Sequence, residues 1–216
     1  GSEMCIRDRT WNNILTYDKT LGEHHFNLLA GQEAYSYRYD VLRASRSNMA
    51  LPDFPELAVG SLVTGGTGYR VNYSLVGYFL NAQYDYQSKY FFSGSYRRDG
   101  SSRFAPETRW GNFWSVGASW RIDREDFMVA TSDWLSALTL KVSYGAQGND
   151  NLGTYYASSG LYSVVSNNGE NALVSDRLAT PKLKWETNLN FNAGIDFSLF
   201  NNRFSGSFDF FQRRSK

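Results

Sequence analysis

The chain has 216 residues, with 22 Lys and Arg against 21 Asp and Glu and a formal net charge of +1. So even a balance lacks the basic excess of a nucleic-acid-binding surface, and no nucleic-acid partner is expected. A single cysteine excludes an internal disulfide, while 17% aromatic residues and four prolines favour strands over helices.

No run of 18 or more apolar residues occurs. That excludes a transmembrane helix but not a spanning β-strand, which is short and only half apolar. The opening "GSEMCIRDR" has neither the apolar core of a signal peptide nor strand alternation. It resembles translated sequencing-adapter read-through, so residues 1–9 are expected to be a non-native leader outside the fold. Residues 10–216 then form one unit.

From residue 10 onward the dominant period is two. Segments near 11–17 and 24–38 are strand-like but irregular. "VGYFLNAQYDY" places Val76, Tyr78, Leu80, Ala82, Tyr84 and Tyr86 opposite Asn81, Gln83 and Asp85. "KYFFSGSYR", "FWSVGASWRI" and "LTLKVSYGAQ" repeat the pattern, as does "RFSGSFDFF" near the end. The clearest case is "WETNLNFNAGIDFSL", with Leu189, Phe191, Ala193, Ile195, Phe197 and Leu199 on one side. Asn188, Asn190, Asn192, Asp196 and Ser198 occupy the other. A one-residue slip would exchange the faces, so register is strongly specified. Eight strands are expected.

Their connections alternate in length. "DKTLGE", "QSK" and "NN" are short, and "DREDF" reads as a single helical turn capped by Asp123, with Asp126 at its third position. The stretches 40–72, 99–112 and 149–184 read as long polar loops. "GGTGYR" at 65–70 falls in the first, as a flexible loop with no helix behind it to make a dinucleotide fingerprint. "DGSS" at 99–102 reads as a tight reversal.

Short turns at one end and long loops at the other are the outer-membrane barrel pattern. Trp114 and Trp120 share a face about 20 Å apart at ~3.4 Å per residue, as aromatic girdles require. A soluble β-sandwich also alternates. Its exposed faces would carry Lys and Glu, whereas these carry Asn, Ser and Gly.

"RRDGSSRFAPETRWGNFWSVGASWRI", "LTLKVSYGAQGN" and "LKWETNLNFNAGIDFSLFNNRFSGSFDFFQ" resemble the C-terminal barrel of SusC/RagA-type TonB-dependent outer-membrane transporters. "NILTYDKT" and "HHFNLLAGQEA" carry the likeness back to residue 10. The resemblance implies an all-β fold, about eight antiparallel strands of a 22-stranded transmembrane barrel, as an open curved sheet without the plug domain. It implies a part of an active importer of oligosaccharides or peptides in the Gram-negative outer membrane. The partners it implies are a SusD-like surface lipoprotein, the TonB complex and outer-membrane lipid. A passive porin and a soluble carbohydrate-binding β-sandwich are the alternatives.

No cofactor, metal site or catalytic residue is expected. His24 and His25 are adjacent on a strand and point to opposite faces, and no nucleophile and base share a motif. Substrate contact is expected from the long-loop end. The candidates are the aromatic rings of Trp110, Tyr155, Tyr156 and Tyr162, which suit sugar faces, and the guanidinium groups of Arg103 and Arg109.

Overall fold

In the computed structural model, residues 2–215 are described, apart from 52, 54 and 55. Among these residues ten strands follow one another: β1 (Ser2–Leu21), β2 (His24–Met49), β3 (Gly60–Tyr86), β4 (Tyr90–Ser101), β5 (Trp110–Arg121), β6 (Leu135–Asn149), β7 (Leu161–Asn167), β8 (Glu170–Arg177), β9 (Glu186–Leu199) and β10 (Phe204–Ser215). Eight of them form one sheet in the order β1-β2-β3-β4-β5-β6-β9-β10, and β7 and β8 make a separate hairpin. All neighbours are antiparallel. The sheet is open, with β1 and β10 at its edges.

Surface area decides between sheet and sandwich. The chain exposes 15299 Å², against roughly 10,000 Å² for a compact protein of this mass. Among the apolar described residues, only Val41, Phe104, Phe113, Leu135, Ala146 and Ala157 are buried. A single layer has two faces and no core of its own. The soluble sandwich is therefore excluded. Every β1 residue is exposed, and β10 is nearly so. Expressed alone without detergent, the chain should self-associate through those edges; a single monomeric species in sedimentation would contradict this.

The faces follow the period of two. On the apolar side, cross-strand pairing runs from His24 through Tyr86, Tyr90, Trp120, Leu140 and Ile195 to Phe208. Tyr86 stacks on Tyr90 and Tyr90 on Trp120, each at 6.3 Å. Glu125, beyond the end of β5, accepts hydrogen bonds from Tyr90 Oη and, at 2.9 Å, from Trp120 Nε1. A second row runs from Trp11 through Ala34, Val76 and Gly100 to Trp110. There Tyr78 stacks on Trp110 at 6.3 Å, and Arg98 lies 5.2 Å over the same ring.

Trp120 lies ten residue steps along β5 from Trp110. That is about 34 Å along the strand, or about 26 Å after a tilt of ~40°, which matches an apolar band ~25 Å tall. The outer aromatic row lies at Trp110 rather than Trp114. Trp114 sits inside the band, edge-on to Tyr144 at 5.6 Å.

The other face is polar. Ser95 and Ser115 hydroxyls meet at 2.6 Å, and Asn192 Nδ2 donates to Ser143 Oγ at 3.3 Å. Lys141 Nζ bridges Asp196 at 2.8 Å and Asp209 at 3.0 Å, and Arg97 holds Asp99 at 2.7 Å and Glu33 at 3.2 Å. A Cβ on Gly77 would lie 2.4 Å from Asp99 Oδ1, so the bare backbone there lets this ion cluster lie flat.

The connections differ from the sequence expectation in several places. β2 and β3 continue as a tall hairpin through most of 40–72, and "GGTGYR" is strand, Gly65 opposite Ser45 and Gly68 opposite Leu42. Asp99 and Gly100 belong to β4, and the reversal lies at 102–109. The β7–β8 hairpin occupies part of 149–184. Ser2 to Arg9, expected outside the fold, extend β1 against Ser36–Arg43. Ladder hydrogen bonds are made by the backbone, so these segments pair without an alternating side-chain pattern.

Asp123 is not a helix cap. It lies within a 3₁₀ turn, Ile122–Arg124. Its carboxylate accepts from Arg121 Nη2 at 2.6 Å and from the Leu138 backbone N–H at 3.0 Å. The turn is thereby tied to the start of β6. At the short end three residues join β3 to β4; Gln87 and Ser88 both take positive φ (55° and 51°), and the Lys89 N–H donates to the Tyr86 carbonyl at 2.9 Å.

Candidate functional site

β4 and β5 end lower than the β2–β3 hairpin, which leaves the edge of upper β3 without a strand partner from Gly60 to Ser74 among the described residues. Two loops fill part of the gap. The Ser102 backbone N–H donates to the Ser74 carbonyl at 3.0 Å, and Ser102 Oγ accepts from the Ser74 N–H at 2.9 Å. After β6, residues 150–160 fold back towards β3, where Tyr156 Oη accepts from the Asn72 backbone N–H at 3.0 Å.

Asp150 is the junction. Its Oδ2 accepts from Tyr73 Oη and from Ser101 Oγ, both at 2.8 Å. Burial, with the Asp150 carboxylate beside it, pushes the Tyr73 hydroxyl pKa well above the usual phenol value, so it remains a donor. Arg103 lies between two rings, 4.7 Å from the Tyr73 centroid and 5.0 Å from Tyr155. Its Nη1 donates to the Asp150 carbonyl at 2.7 Å. Tyr155 also stacks on Tyr37 at 6.0 Å.

Beneath these loops lies an aromatic knot. Phe104 is 1% exposed and packs 5.4 Å from Trp185, which meets Phe113 at 5.2 Å. Trp185 Nε1 donates to the Arg109 carbonyl at 2.8 Å, and Thr108 Oγ1 to the Leu183 carbonyl at 2.7 Å. Loops 102–109 and 150–185 are therefore one assembly.

The six residues singled out by sequence are dispersed. Tyr155, Tyr156 and Arg103 meet on or beside the polar face of β2 and β3. Trp110 belongs to the outer row of the apolar face, on the opposite side of the sheet. Tyr162 stands exposed on β7, away from the Tyr155 cluster. Arg109 takes part through its carbonyl, and the Nε atoms of both Arg103 and Arg109 are buried without a hydrogen-bond partner among the described residues. Sequence reasoning missed Tyr37, Tyr73, Asp150, Phe104 and Trp185. The Tyr35, Tyr37 and Tyr39 spacing in "YSYRY" was the available signal.

His24 and His25 do point to opposite faces. His24 Nδ1 meets Tyr84 Oη at 2.8 Å, while His25 lies between Asp85 at 2.9 Å and Asp18 at 3.1 Å. No helix among the described residues is long and apolar enough to cross a membrane, so any crossing falls to the strands.

The sequence matches the family described as TonB dependent receptor-like, beta-barrel, over residues 5–216. The chain belongs to that family. It is 31% identical over 204 residues to TonB-dependent receptor P3 of Formosa agariphila, covering 92% of this chain and 20% of that protein. To TonB-dependent receptor SusC of Bacteroides thetaiotaomicron it is 31% identical over 214 residues, covering 95% and 21%. Among solved structures it superposes on a chain of the RagAB peptide transporter with a TM-score of 0.91 and 28% identity, covering 99% of this chain and 24% of that one. It is an open, eight-stranded part of a TonB-dependent receptor barrel of the SusC and RagA kind, spanning about a fifth of its curated relatives. These relatives are receptors and transporters rather than enzymes, and the family implies the outer membrane.

Proposed function

We propose that this chain is wall and outer-loop assembly of an active outer-membrane importer of oligosaccharides or peptides, coupled to TonB and paired with a SusD-like surface lipoprotein. The observation that carries this reading is the division of the sheet. One face bears an apolar band between aromatic rows, and the other bears polar and ionic groups crowned by an ordered loop assembly. Similarity to SusC and to the RagAB peptide transporter supports it. Tyr155 and Tyr156 are assigned to substrate contact and loop docking, and Tyr162 to first contact on an exposed hairpin. Arg103 and Arg109 hold the loops, and Trp110 marks the membrane boundary.

The test is uptake of labelled oligosaccharides and of labelled peptides by cells carrying the full-length protein, with and without TonB. Uptake of either class should stop when TonB is removed, and a surface lipoprotein should co-purify. Uptake that persists without TonB would establish a passive porin instead. Tyr155→Ala should lower uptake severalfold while leaving barrel yield unchanged, because it removes one ring of the docked loop and none of the sheet. Unchanged uptake would remove Tyr155 from the substrate path.

A further inference from the structure

We infer that the polar face of upper β2 and β3 is a stacking track for an uncharged oligosaccharide, open at Tyr39 and Tyr69. This deepens the importer reading and rests on it. Tyr35, Tyr37 and Tyr39 occupy alternate positions of β2, so their rings repeat about every 6.8 Å on one face. Register sets Tyr73 of β3 opposite Tyr37. Ring contacts link Tyr35 to Tyr73 at 6.0 Å, Tyr73 to Tyr155 at 5.6 Å, and Tyr39 to Tyr69 at 5.9 Å. Tyr155 covers Tyr37 and Tyr73. The available rings are thus at the outer end, where Tyr69 is 50% exposed.

The chemistry of this face suits a sugar. A phenol ring offers a flat apolar surface to the C–H face of a pyranose, and its hydroxyl both donates and accepts. Tyrosine has two side-chain torsions, so ordering it costs little entropy. Net charge is near zero. Arg103 is committed to Asp150 between two rings, and the flanking charges are one of each sign, Asp8 near Tyr35 and Arg43 near Tyr39. A peptide would be read chiefly through main-chain groups added to a strand edge. Beside Tyr73 the edge is engaged, Tyr156 covering Asn72 and Ser102 covering Ser74, whereas from Gly60 to Tyr69 it has no strand partner among the described residues. The face itself provides side-chain stacking, and strand addition at the open edge is the rival outcome that the casein digest reads.

The test uses the purified full-length protein in detergent. It is titrated with neutral heptasaccharides of α-1,4, α-1,6, β-1,3 and β-1,4 linkage, and separately with a tryptic digest of casein. At least one heptasaccharide should bind. Tyr39→Ala and Tyr69→Ala should each weaken that binding about tenfold, the loss of one stacked ring, while Tyr39→Phe and Tyr69→Phe retain most of it. Nitration of the unsubstituted protein with tetranitromethane gives a reading free of folding effects. Tyr39 and Tyr69 should be protected by the bound heptasaccharide. Binding of casein peptides alone, binding of nothing, or a heptasaccharide that leaves nitration and both alanine variants unchanged would each overturn the inference. The importer reading fails separately: TonB-dependent uptake of peptides leaves it standing and removes the glycan track, whereas TonB-independent uptake removes the importer itself.

Discussion

In the full-length protein, Val116→Arg will impair insertion into bilayers, and Ser115→Arg, one residue away, will not. Val116 lies on the apolar face, 53% exposed, in register with Tyr144, and Tyr144 with Phe191. It stands between the Trp110 and Trp120 rows, near the middle of the band. An arginine facing lipid at that depth costs about 2–4 kcal/mol. Ser115 faces the polar side, where its hydroxyl meets that of Ser95 at 2.6 Å, and a charge there remains in water. Refolding into liposomes, scored by heat-modifiable mobility, should show the folded fraction collapse for Val116→Arg alone. Labelling with a lipid-soluble photoreactive probe should mark Val116→Cys and spare Ser115→Cys. Equal labelling would mean that the face assignment, and the membrane reading built on it, is wrong.

Depth was the part of this argument that the sequence could not supply. Alternation in "FNAGIDF" gives the facing of Ile195 at once, yet nothing local says that Ile195 pairs with Leu140 and lies in the row of Trp120 and Tyr90. At such a boundary an arginine costs only about 0–1 kcal/mol. Register couples distant strands, and a single strand carries no mark of its height. The same limit hid the tall hairpin. Within the band one face meets lipid and the other does not, so polarity alternates. Beyond the outer row both faces are wet, and "GGTGYR" pairs without any pattern to announce it. The loop assembly was hidden differently. Trp110 and Tyr155 looked equivalent as aromatic residues near long loops, but an even number of steps along β5 places Trp110 on the lipid side with Trp120. Tyr155 reaches the polar face because Asp150 and Arg103 hold its loop there.

Phe104→Ala will release that loop assembly while the barrel stays folded. Phe104 is 1% exposed against Trp185, and Trp185 is fixed by Phe113 and by the Arg109 carbonyl. On the far side there is no slack. A Cβ on Gly148 would fall 2.0 Å from Phe113 Cζ, and one on Gly111 2.4 Å from it. Neighbours this tightly seated cannot collapse into a vacated ring site, so the truncation should cost about 3–5 kcal/mol. The knot seats the loops on Phe113 of β5 and supplies none of the ladder hydrogen bonds, so the cost should appear as local opening. Hydrogen exchange followed by mass spectrometry should show amides of 102–109 and 150–160 exchanging more than about a hundredfold faster, since each 1.4 kcal/mol is a factor of ten. Amides of β5 and β6 within the band should be unaffected. Gly148→Ala should loosen the same segments from the other side, by driving Phe113 off its seat. Uptake should fall in both variants, because Tyr155 is positioned by Arg103 and Asp150, which flank the knot. If exchange in 150–160 is unchanged when Phe104 is truncated, the two loops are independent, and Tyr155 must owe its place to the Tyr37 and Tyr73 rings alone.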